Sequence, residues 1–235
     1  MTKEAPAGRC LGVVMPCFNE ERFVAESVRR VLASPYVAEL IVVDDCSSDA
    51  TPRILSEIAD PRVRVHRQER NQGKGAALAR GFGLATAPYV IVQDSDLEYD
   101  PADYGRILAP LVDARADVVY GSRFVTTEAR RVLYFWHFVG NRMLTLLSNA
   151  FTNLNISDME TGYKCFRREV IQSIQIRESR FGVEPEITGK VARGGWRVYE
   201  VGISYSGRTY AEGKKIGMKD AFVALWCIVR YWAWD

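Results

Sequence analysis

Short apolar runs alternate with amphipathic stretches along the first half of the chain. The runs Gly12–Met15 and Leu40–Val43 are wholly apolar, as is typical of parallel strands covered on both faces. Further strands are predicted at Val63–His66, Tyr89–Gln93 and Val118–Gly121. The segments between strands carry apolar residues at helical spacing, and the predicted helices are Asn19–Ala33, Thr51–Ala59, Gly75–Ala85 and Tyr104–Ala114. This alternation predicts an α/β fold with a doubly wound, mostly parallel central sheet flanked by helices.

The pattern changes after Phe124, where aromatic residues and leucines become frequent. We predict a long helix over Arg130–Asn153, a helix and a returning strand (Trp196–Val201) within Gly182–Tyr205, and a closing helix over Lys219–Trp234. The sequence has no internal repeat and no low-complexity linker. The two halves are therefore interpreted as parts of one domain.

The 235 residues carry a formal net charge of +2, and 48% of them are hydrophobic. A charge this small gives no global basic field, and the sequence lacks zinc-finger spacing, so we expect no nucleic-acid partner. The five cysteines are scattered without C-x-x-C spacing, which predicts neither a disulfide framework nor a zinc site. The polar N-terminus lacks a signal-peptide core, and no uncharged stretch approaches ~20 residues. These features favour a cytoplasmic protein whose chain does not cross a membrane.

Polar and acidic residues follow three of the predicted strands. They occupy residues 16–20 after the first strand, 44–49 after the second and 94–98 after the fourth. Ligands of open parallel sheets bind outside the carboxyl ends of the strands, so these segments are candidates for one binding site. A single residue such as Ser48 or Asp49 could be only a helix cap. Their recurrence at three strand ends favours a ligand site.

The segment after the fourth strand is an acidic run. Asp94, Asp96 and Glu98 alternate there, and their anionic oxygens repel one another unless a cation joins them. Hard oxygen ligands select Mg²⁺ or Mn²⁺, and such an ion is commonly completed by phosphate oxygens. We therefore predict a metal site and a nucleoside-diphosphate substrate. The alternative is an acidic turn in which Asp and Ser cap backbone amides.

A glycine-rich turn with a lysine opens the third predicted helix, where Gly73 and Gly75 flank Lys74. A helix N-terminus with a lysine favours phosphate, but the glycines are equally compatible with tight packing of the helix. The spacing of a Walker A loop is missing, which speaks against a GTPase or a kinase.

Seven motifs follow one another along the chain. They are Pro16-x-x-Asn19-Glu20, Val42-Val43-Asp44-Asp45-x-Ser47-x-Asp49-x-Thr51, Asn71-x-Gly73-Lys74-Gly75, Asp94-x-Asp96, Gly121-Ser122-Arg123, Asp158-x-x-Thr161-Gly162-Tyr163-Lys164-x-Phe166-Arg167 and Arg208-x(6)-Lys215. In these motifs and their order the chain resembles the GT-A glycosyltransferases of family 2 over nearly its whole length, and it is most similar to the dolichyl- or polyprenyl-phosphate mannose and glucose synthases of that family. The resemblance implies a single GT-A (nucleotide-diphospho-sugar transferase) domain over residues 1–235. It would comprise a nucleotide-sugar-binding half at about 10–123, an acceptor-side half at about 124–218 and a C-terminal aromatic amphipathic helix at 219–235.

The resemblance also implies the residues of the donor site. Those that would contact the nucleotide sugar are Pro16, Phe18, Glu20, Val43, Asp45, Lys74, Asp94 and Ser95. Asp45 would accept an N–H of the base. Asp94, Asp96 and Glu98 would hold the Mg²⁺ or Mn²⁺ ion, although family members often have Gln at the position of Glu98.

Transfer with inversion requires an acceptor that attacks from the face opposite the leaving diphosphate. An acceptor phosphate is already ionised and needs cationic groups rather than a base. The residues predicted to hold the acceptor or the diphosphate are Arg123, Arg142, Thr145, Arg208 and Lys215. A hydroxyl acceptor needs a carboxylate to take its proton, so the predicted catalytic group of Asp96 and Arg123 also includes Asp158 and Glu186. The alternatives are a salt-bridged helix face for the arginines and an acidic helix start for Glu184 and Glu186.

We favour a GDP- or UDP-hexose donor and a polyprenyl or dolichyl phosphate acceptor. The alternatives are a soluble hydroxyl acceptor, such as a natural product or polysaccharide precursor, and a non-catalytic nucleotide-sugar-binding protein, against which the intact acidic run speaks. A nucleotidyltransferase would need a glycine-rich basic loop after the first strand. Three roles remain open for the tryptophan-rich helix at 219–235: peripheral membrane contact, packing on the core, or a homodimer contact.

Overall fold

The computed structural model describes residues 8–125, 131–132, 134–180, 182–207 and 218–234. Within them, seven strands form one sheet: β1 (Leu11–Cys17), β2 (Val37–Asp44), β3 (Val63–Arg67), β4 (Tyr89–Val92), β5 (Val118–Ser122), β6 (Lys164–Arg167) and β7 (Val198–Gly202). Their order across the sheet is β3-β2-β1-β4-β6-β5-β7. The helices are α1 (Val24–Ala33), α2 (Thr51–Ser56), α3 (Lys74–Leu84), α4 (Tyr104–Val112), α5 (Phe135–Thr152), α6 (Arg168–Ser173), α7 (Val183–Arg193) and α8 (Met218–Ala233), with a 3-10 turn at Pro101–Asp103.

The sheet is mostly parallel, as the alternation of strands and helices predicts. β1 pairs in parallel with β2 and β4, β2 with β3, and β5 with β7. β6 runs antiparallel to β4 and β5 and is not predicted by the pattern, because its four residues include the buried Lys164. Its direction places its first residue beside the carboxyl end of β4. The loop before β6 therefore reaches the same sheet edge as the acidic run.

Two apolar layers cover the sheet, one on each face. Val13 and Met15 of β1 face a layer that includes α1 and α4, whereas Val14 faces a layer that includes α3, α6 and α7. A Cβ added at Gly81 of α3 would lie 2.3 Å from Val14 Cγ1, so this glycine lets α3 lie close to β1. Because both faces are covered, β1 is apolar at successive positions rather than at alternate ones.

The predicted helix start at Asn19 is wrong, because Asn19 lies in the loop after β1. Asn19 has φ +53°, and α1 begins only at Val24. The Asn19 N–H donates to Ser47 Oγ (2.9 Å), and its Oδ1 accepts from the Ser48 N–H (2.8 Å). The loops after β1 and β2 therefore support each other at the carboxyl edge of the sheet.

Candidate active site

Hydrogen bonds on two sides hold the acidic run after β4. Gln93 Oε1 accepts from the hydroxyls of Tyr104 and Tyr163, each at 2.6 Å. Ser95 is buried, and its Oγ donates to the carbonyl of the buried Pro16 (3.3 Å). The side chains of Ser95 and Gln93 thus fix the loop, and its neighbours Asp94 and Asp96 project from a supported backbone.

Each carboxylate of the acidic run has a different environment. Asp94 accepts from Lys74 Nζ (3.0 Å), Asp96 Oδ1 accepts from the Glu98 N–H (3.2 Å), and Glu98 Oε2 accepts from the Tyr205 hydroxyl (2.6 Å). Within the described part of the chain, no three His, Cys, Asp or Glu side chains converge as metal ligands. The predicted three-carboxylate set is therefore not assembled in this structure. Mg²⁺ bound together with substrate phosphates needs only one or two carboxylates, and the donors of this loop fit that smaller requirement.

Lys74, the first residue of α3, joins two carboxylates. Its Nζ lies 3.0 Å from Asp94 and 3.1 Å from Glu184 in the first turn of α7. Burial by itself would lower the pKa of Lys74, but the two carboxylates outweigh it and the pKa is raised well above its usual value. Lys74 is therefore a permanent cation whose charge is shared between α7 and the acidic run.

The glycines beside Lys74 serve close packing. A Cβ at Gly75 would lie 1.9 Å from the carbonyl oxygen of Glu178, and one at Gly73 would lie 2.4 Å from that of Ser179. Gly73 also has φ +99°, a conformation that favours glycine. The packing alternative weighed for this turn thus accounts for both glycines.

Asp45 holds the same turn from the β2 side. Its Oδ1 accepts from Gln68 Nε2 and the Gln72 N–H, and its Oδ2 accepts from the Gly73 N–H, all at 2.7 Å. A carboxylate offers about four acceptor sites. Most of the capacity of Asp45 is therefore used within the protein, and about one site is left for the base N–H predicted from the sequence.

The other donor-site candidates lie at the ends of β1 and β2. Phe18 is exposed just beyond β1, and the Glu20 N–H donates to Thr51 Oγ1 (2.9 Å). Val43 is fully buried in the apolar layer on the α3 side. The contact of Val43 with the nucleotide sugar stays a prediction; Val43 is the penultimate residue of β2.

Arg123 and Asp158 form a buried ion pair. Arg123 Nε and Nη2 each donate to Asp158 at 2.7 Å, and the Arg123 N–H adds a third bond at 3.0 Å. Burial opposes the charge of Arg123, but Asp158 outweighs it and raises the Arg123 pKa well above its usual value. Asp158 is fully buried. The prediction of Asp158 as a proton acceptor is corrected, because its oxygens are occupied by this arginine.

The prediction of Glu186 as a catalytic residue is also corrected. It is fully buried, and its carboxylate accepts from the N–H groups of Arg177 and Glu178 (2.7 Å each) and from Lys190 Nζ (2.7 Å). These bonds hold the segment before α7. Glu184, two residues earlier, is the acid that reaches Lys74 at the site.

A cavity of about 340 Å³ adjoins the acidic run. Its lining residues are Arg123, Phe124, Arg131, Val132, Tyr134, Phe135, His137, Phe138, Asn141 and Tyr205. The Arg123 guanidinium lies 5.1 Å from the centre of the Tyr205 ring, and that tyrosine bonds Glu98. We call this space the arginine–aromatic cavity. It combines two guanidinium groups with a mainly aromatic wall next to the acidic run.

The structure does not bring Arg142 into this cavity. Arg142 is exposed and lines a second cavity of about 770 Å³ on another side of α5, to which Phe138 also contributes. Thr145 is buried, and its hydroxyl accepts from the Met159 N–H (3.2 Å). Arg131, which the sequence did not indicate, is the second cation of the arginine–aromatic cavity. Arg208 and Lys215 lie outside the described residues.

Three further ionisable side chains near the site were not predicted to act there: Glu160, Lys164 and Glu184. Burial raises the pKa of Glu160, and the charge of Glu184 raises it further. Burial lowers the pKa of Lys164. Glu160 and Lys164 lie within the motif 158–167, but nothing in their spacing shows that the charge of Glu184 acts on them.

A mostly parallel sheet with an acidic loop at its carboxyl edge agrees with the GT-A fold that the sequence predicts. The model of the family "Glycosyl transferase family 2" matches residues 12–175. The chain therefore belongs to glycosyl transferase family 2 and is a glycosyltransferase.

Relatives and solved structures agree with this assignment. Polyprenol monophosphomannose synthase of Mycolicibacterium smegmatis is 31% identical over 221 residues, covering 90% of this chain and 83% of that protein. Undecaprenyl-phosphate mannosyltransferase of Micrococcus luteus is 28% identical over 218 residues, covering 87% and 86%. Glucosyl-3-phosphoglycerate synthase of Mycobacterium tuberculosis, in complex with Mn²⁺, UDP and phosphoglyceric acid, has a TM-score of 0.73 at 20% identity, covering 97% and 80%. That likeness establishes the GT-A fold.

Proposed function

We propose that this enzyme transfers a hexose, with inversion, from a GDP- or UDP-sugar to a polyprenyl phosphate, and that it uses Mg²⁺ or Mn²⁺. The observation that carries the proposal is the arginine–aromatic cavity beside the acidic run. Guanidinium groups suit a phosphate, and an aromatic wall suits an isoprenoid chain. The two relatives named for polyprenol and undecaprenyl-phosphate mannosyl transfer support the same acceptor class.

The acidic run would hold the metal ion. Asp96, with Asp94 or Glu98, would supply the one or two carboxylates that such an ion needs when it is bound together with substrate phosphates. When bound, the ion stabilises the negative charge that develops on the leaving diphosphate. Lys74 keeps Asp94 in place through its ion pair, and Tyr205 does the same for Glu98.

The bonds made by Asp158 and Glu186, the two predicted bases, support a phosphate acceptor. Asp158 is bound to Arg123, and Glu186 is bound to the segment before α7. Neither carboxylate can accept a proton from an acceptor hydroxyl without breaking buried bonds. A phosphate acceptor requires no such base, since it is already ionised.

Arg131→Gln tests the acceptor assignment. Loss of one charge-assisted hydrogen bond to the phosphate should raise KM for a polyprenyl phosphate about 10- to 100-fold, with the rate of hydrolysis of the donor unchanged. Steady-state kinetics with a short-chain polyprenyl phosphate measure this. Arg142→Gln, in the second cavity, serves as the comparison and should change KM less than about threefold. A larger effect from Arg142 than from Arg131 would move the acceptor site to the second cavity.

Helix α8 packs on the core, which is one of its three predicted roles. Ala224, Cys227, Ile228 and Tyr231 are buried, and Trp232 packs on Phe151 of α5 at 5.0 Å between ring centres. Apolar side chains of both helices are exposed, and we call the following set the α5–α8 face: Trp136, Met143 and Leu146 of α5, Phe222 and Trp226 of α8, and Trp234 just beyond α8. In the described residues, no helix is long and apolar enough to span a membrane. We propose that the α5–α8 face contacts the bilayer interface, which Trp favours.

Phe222→Ser combined with Trp226→Ser tests this contact. Removing two exposed aromatic side chains should weaken binding to anionic lipid vesicles at least about 10-fold, as measured by flotation. Val65→Ser on strand β3 is the matched control, because Val65 is also exposed and lies away from this face. Unchanged vesicle binding together with a smaller particle mass would instead assign the face to a homodimer.

A further inference from the structure

A buried group of charged side chains lies between the acidic run and α7. Lys74 bridges Asp94 and Glu184, at 3.0 and 3.1 Å. Glu184 also acts electrostatically on Glu160 and Lys164, which lie in and after the loop that precedes β6. The proposed transfer to a polyprenyl phosphate gives no role to Glu160 or Glu184.

Two carboxylate oxygens of this group have no partner. The Glu184 side chain is only 9% exposed; its Oε1 faces Lys74, whereas its Oε2 is buried without a hydrogen-bond partner among the described residues. Glu160 Oε1 is in the same state, although the Glu160 side chain is partly exposed. Buried polar atoms are nearly always hydrogen-bonded, and leaving one unpaired is costly. Two such oxygens beside one site therefore indicate that a bound molecule donates hydrogen bonds to them.

Lys164 does not supply those donors. Its Nζ donates to the carbonyl oxygens of Met159 (2.8 Å) and Thr161, and it lies 5.1 Å from the centre of the Tyr120 ring. The hydrogen-bonding capacity of its ammonium group is thus directed to the loop backbone and the tyrosine. The missing donors must come from outside these side chains.

The charges of the group indicate which kind of molecule could donate these hydrogen bonds. Burial and the charge of Glu184 raise the pKa of Glu160 and so favour its neutral form, which leaves the carboxylates of Asp94, Asp158 and Glu184 opposed by the cations Lys74, Arg123 and Lys164. The group therefore has no excess of positive charge that would favour an anion. A neutral molecule rich in O–H groups satisfies carboxylate oxygens without adding negative charge.

We propose that Glu160 and Glu184 bind hydroxyl groups of the transferred sugar and select a neutral hexose over a uronic acid. This inference rests on the proposed function, since it requires a nucleotide-sugar donor whose diphosphate lies at the acidic run. The position fits, because Lys74 and Asp94 link Glu184 to that run. A Cβ added at Gly162, two residues after Glu160, would lie 2.6 Å from Asp94 Oδ2, so the Glu160 loop approaches the run as closely as glycine allows.

Glu160→Gln and Glu184→Gln test the proposal by calorimetric titration with four probes in the presence of MnCl₂. The probes are GDP, UDP, GDP-mannose and UDP-glucose. For the base that the wild type prefers, each variant should bind the nucleotide sugar about 10-fold more weakly, the effect expected for one hydrogen bond to a charged group. Affinity for the nucleoside diphosphate alone should stay within about twofold. Glu186→Gln is the matched control, because its buried carboxylate lies on the same helix but bonds only the segment before α7 and Lys190.

A fifth probe separates sugar recognition from general damage. The wild type should discriminate against UDP-glucuronate relative to UDP-glucose, and Glu184→Gln should reduce that discrimination about 10-fold because the repelling carboxylate is removed. Equal losses for nucleotide sugar and diphosphate, with discrimination unchanged, would overturn the proposal and leave the transferase function standing. A wild type that binds none of the four probes would instead contradict the proposed function itself.

Discussion

Asp96→Asn is expected to reduce sugar transfer at least about 100-fold, the loss seen when one group that stabilises developing charge is removed. Asp96 lies on a supported loop at the carboxyl edge of the sheet, and its Oδ1 accepts from the Glu98 N–H (3.2 Å). An amide in its place keeps the shape and the backbone bond but withdraws the charge that would hold the metal ion. Transfer from the preferred nucleotide sugar, assayed across a range of MnCl₂ concentrations, measures the effect.

The control for this change is Asp113→Asn. Asp113 follows α4 and pairs with Arg115 at 3.3 Å, near the amino end of β5 and so at the opposite edge of the sheet. It should leave transfer and metal dependence unchanged. If Asp96→Asn retained wild-type turnover at every metal concentration, the assignment of Asp96 to the metal would be wrong.

Asp158→Asn should produce the largest loss of stability. The change would remove the charge of the fully buried Asp158 from the Arg123 guanidinium, whose side chain is 16% exposed, and breaking a largely buried pair in this way costs about 3–5 kcal/mol. For a chain of this size the midpoint of thermal unfolding should fall by about 6–20 °C. Differential scanning calorimetry measures the shift.

An exposed ion pair provides the comparison. Glu57→Gln removes the partner of Arg53, and because both side chains are more than 60% exposed the loss should be below about 1 kcal/mol. A second variant, Arg123→Met with Asp158→Leu, removes both charges and should recover part of the lost stability while failing to use a polyprenyl phosphate. If Asp158→Asn lowered the midpoint of thermal unfolding no more than Glu57→Gln does, the Arg123–Asp158 pair would not stabilise the fold as a buried ion pair.

The sheet could be predicted largely from the sequence because its parallel strands are covered on both faces. Such strands must be apolar at successive positions, and β1 and β2 show this directly. β6 escaped prediction because Lys164 is buried within it, with its ammonium group satisfied by backbone carbonyls of its own loop. No periodicity reveals a lysine that folds back in this manner.

The residues at the sheet edge were predictable by type, but their partners were not. Asp45 was placed correctly after β2, yet its three donors come from residues 68–73, which tertiary folding alone brings close. Glu184 and Glu186 are two residues apart on one helix and therefore point in different directions. Only the packing of α7 decides that Glu184 reaches Lys74 while Glu186 bonds the segment before the helix. Arg131 precedes α5 and lines the arginine–aromatic cavity, whereas Arg142 lies on α5 and lines the second cavity.

The most direct test of the proposed function is a transfer assay with labelled GDP-mannose and UDP-glucose, MnCl₂ and a short-chain polyprenyl phosphate. The account predicts a labelled product that partitions into organic solvent, carries an inverted anomeric linkage, and disappears when EDTA is added or Asp96 is changed to Asn. Label that appears only in a water-soluble product, or an organic-soluble product formed equally well in EDTA, would contradict it.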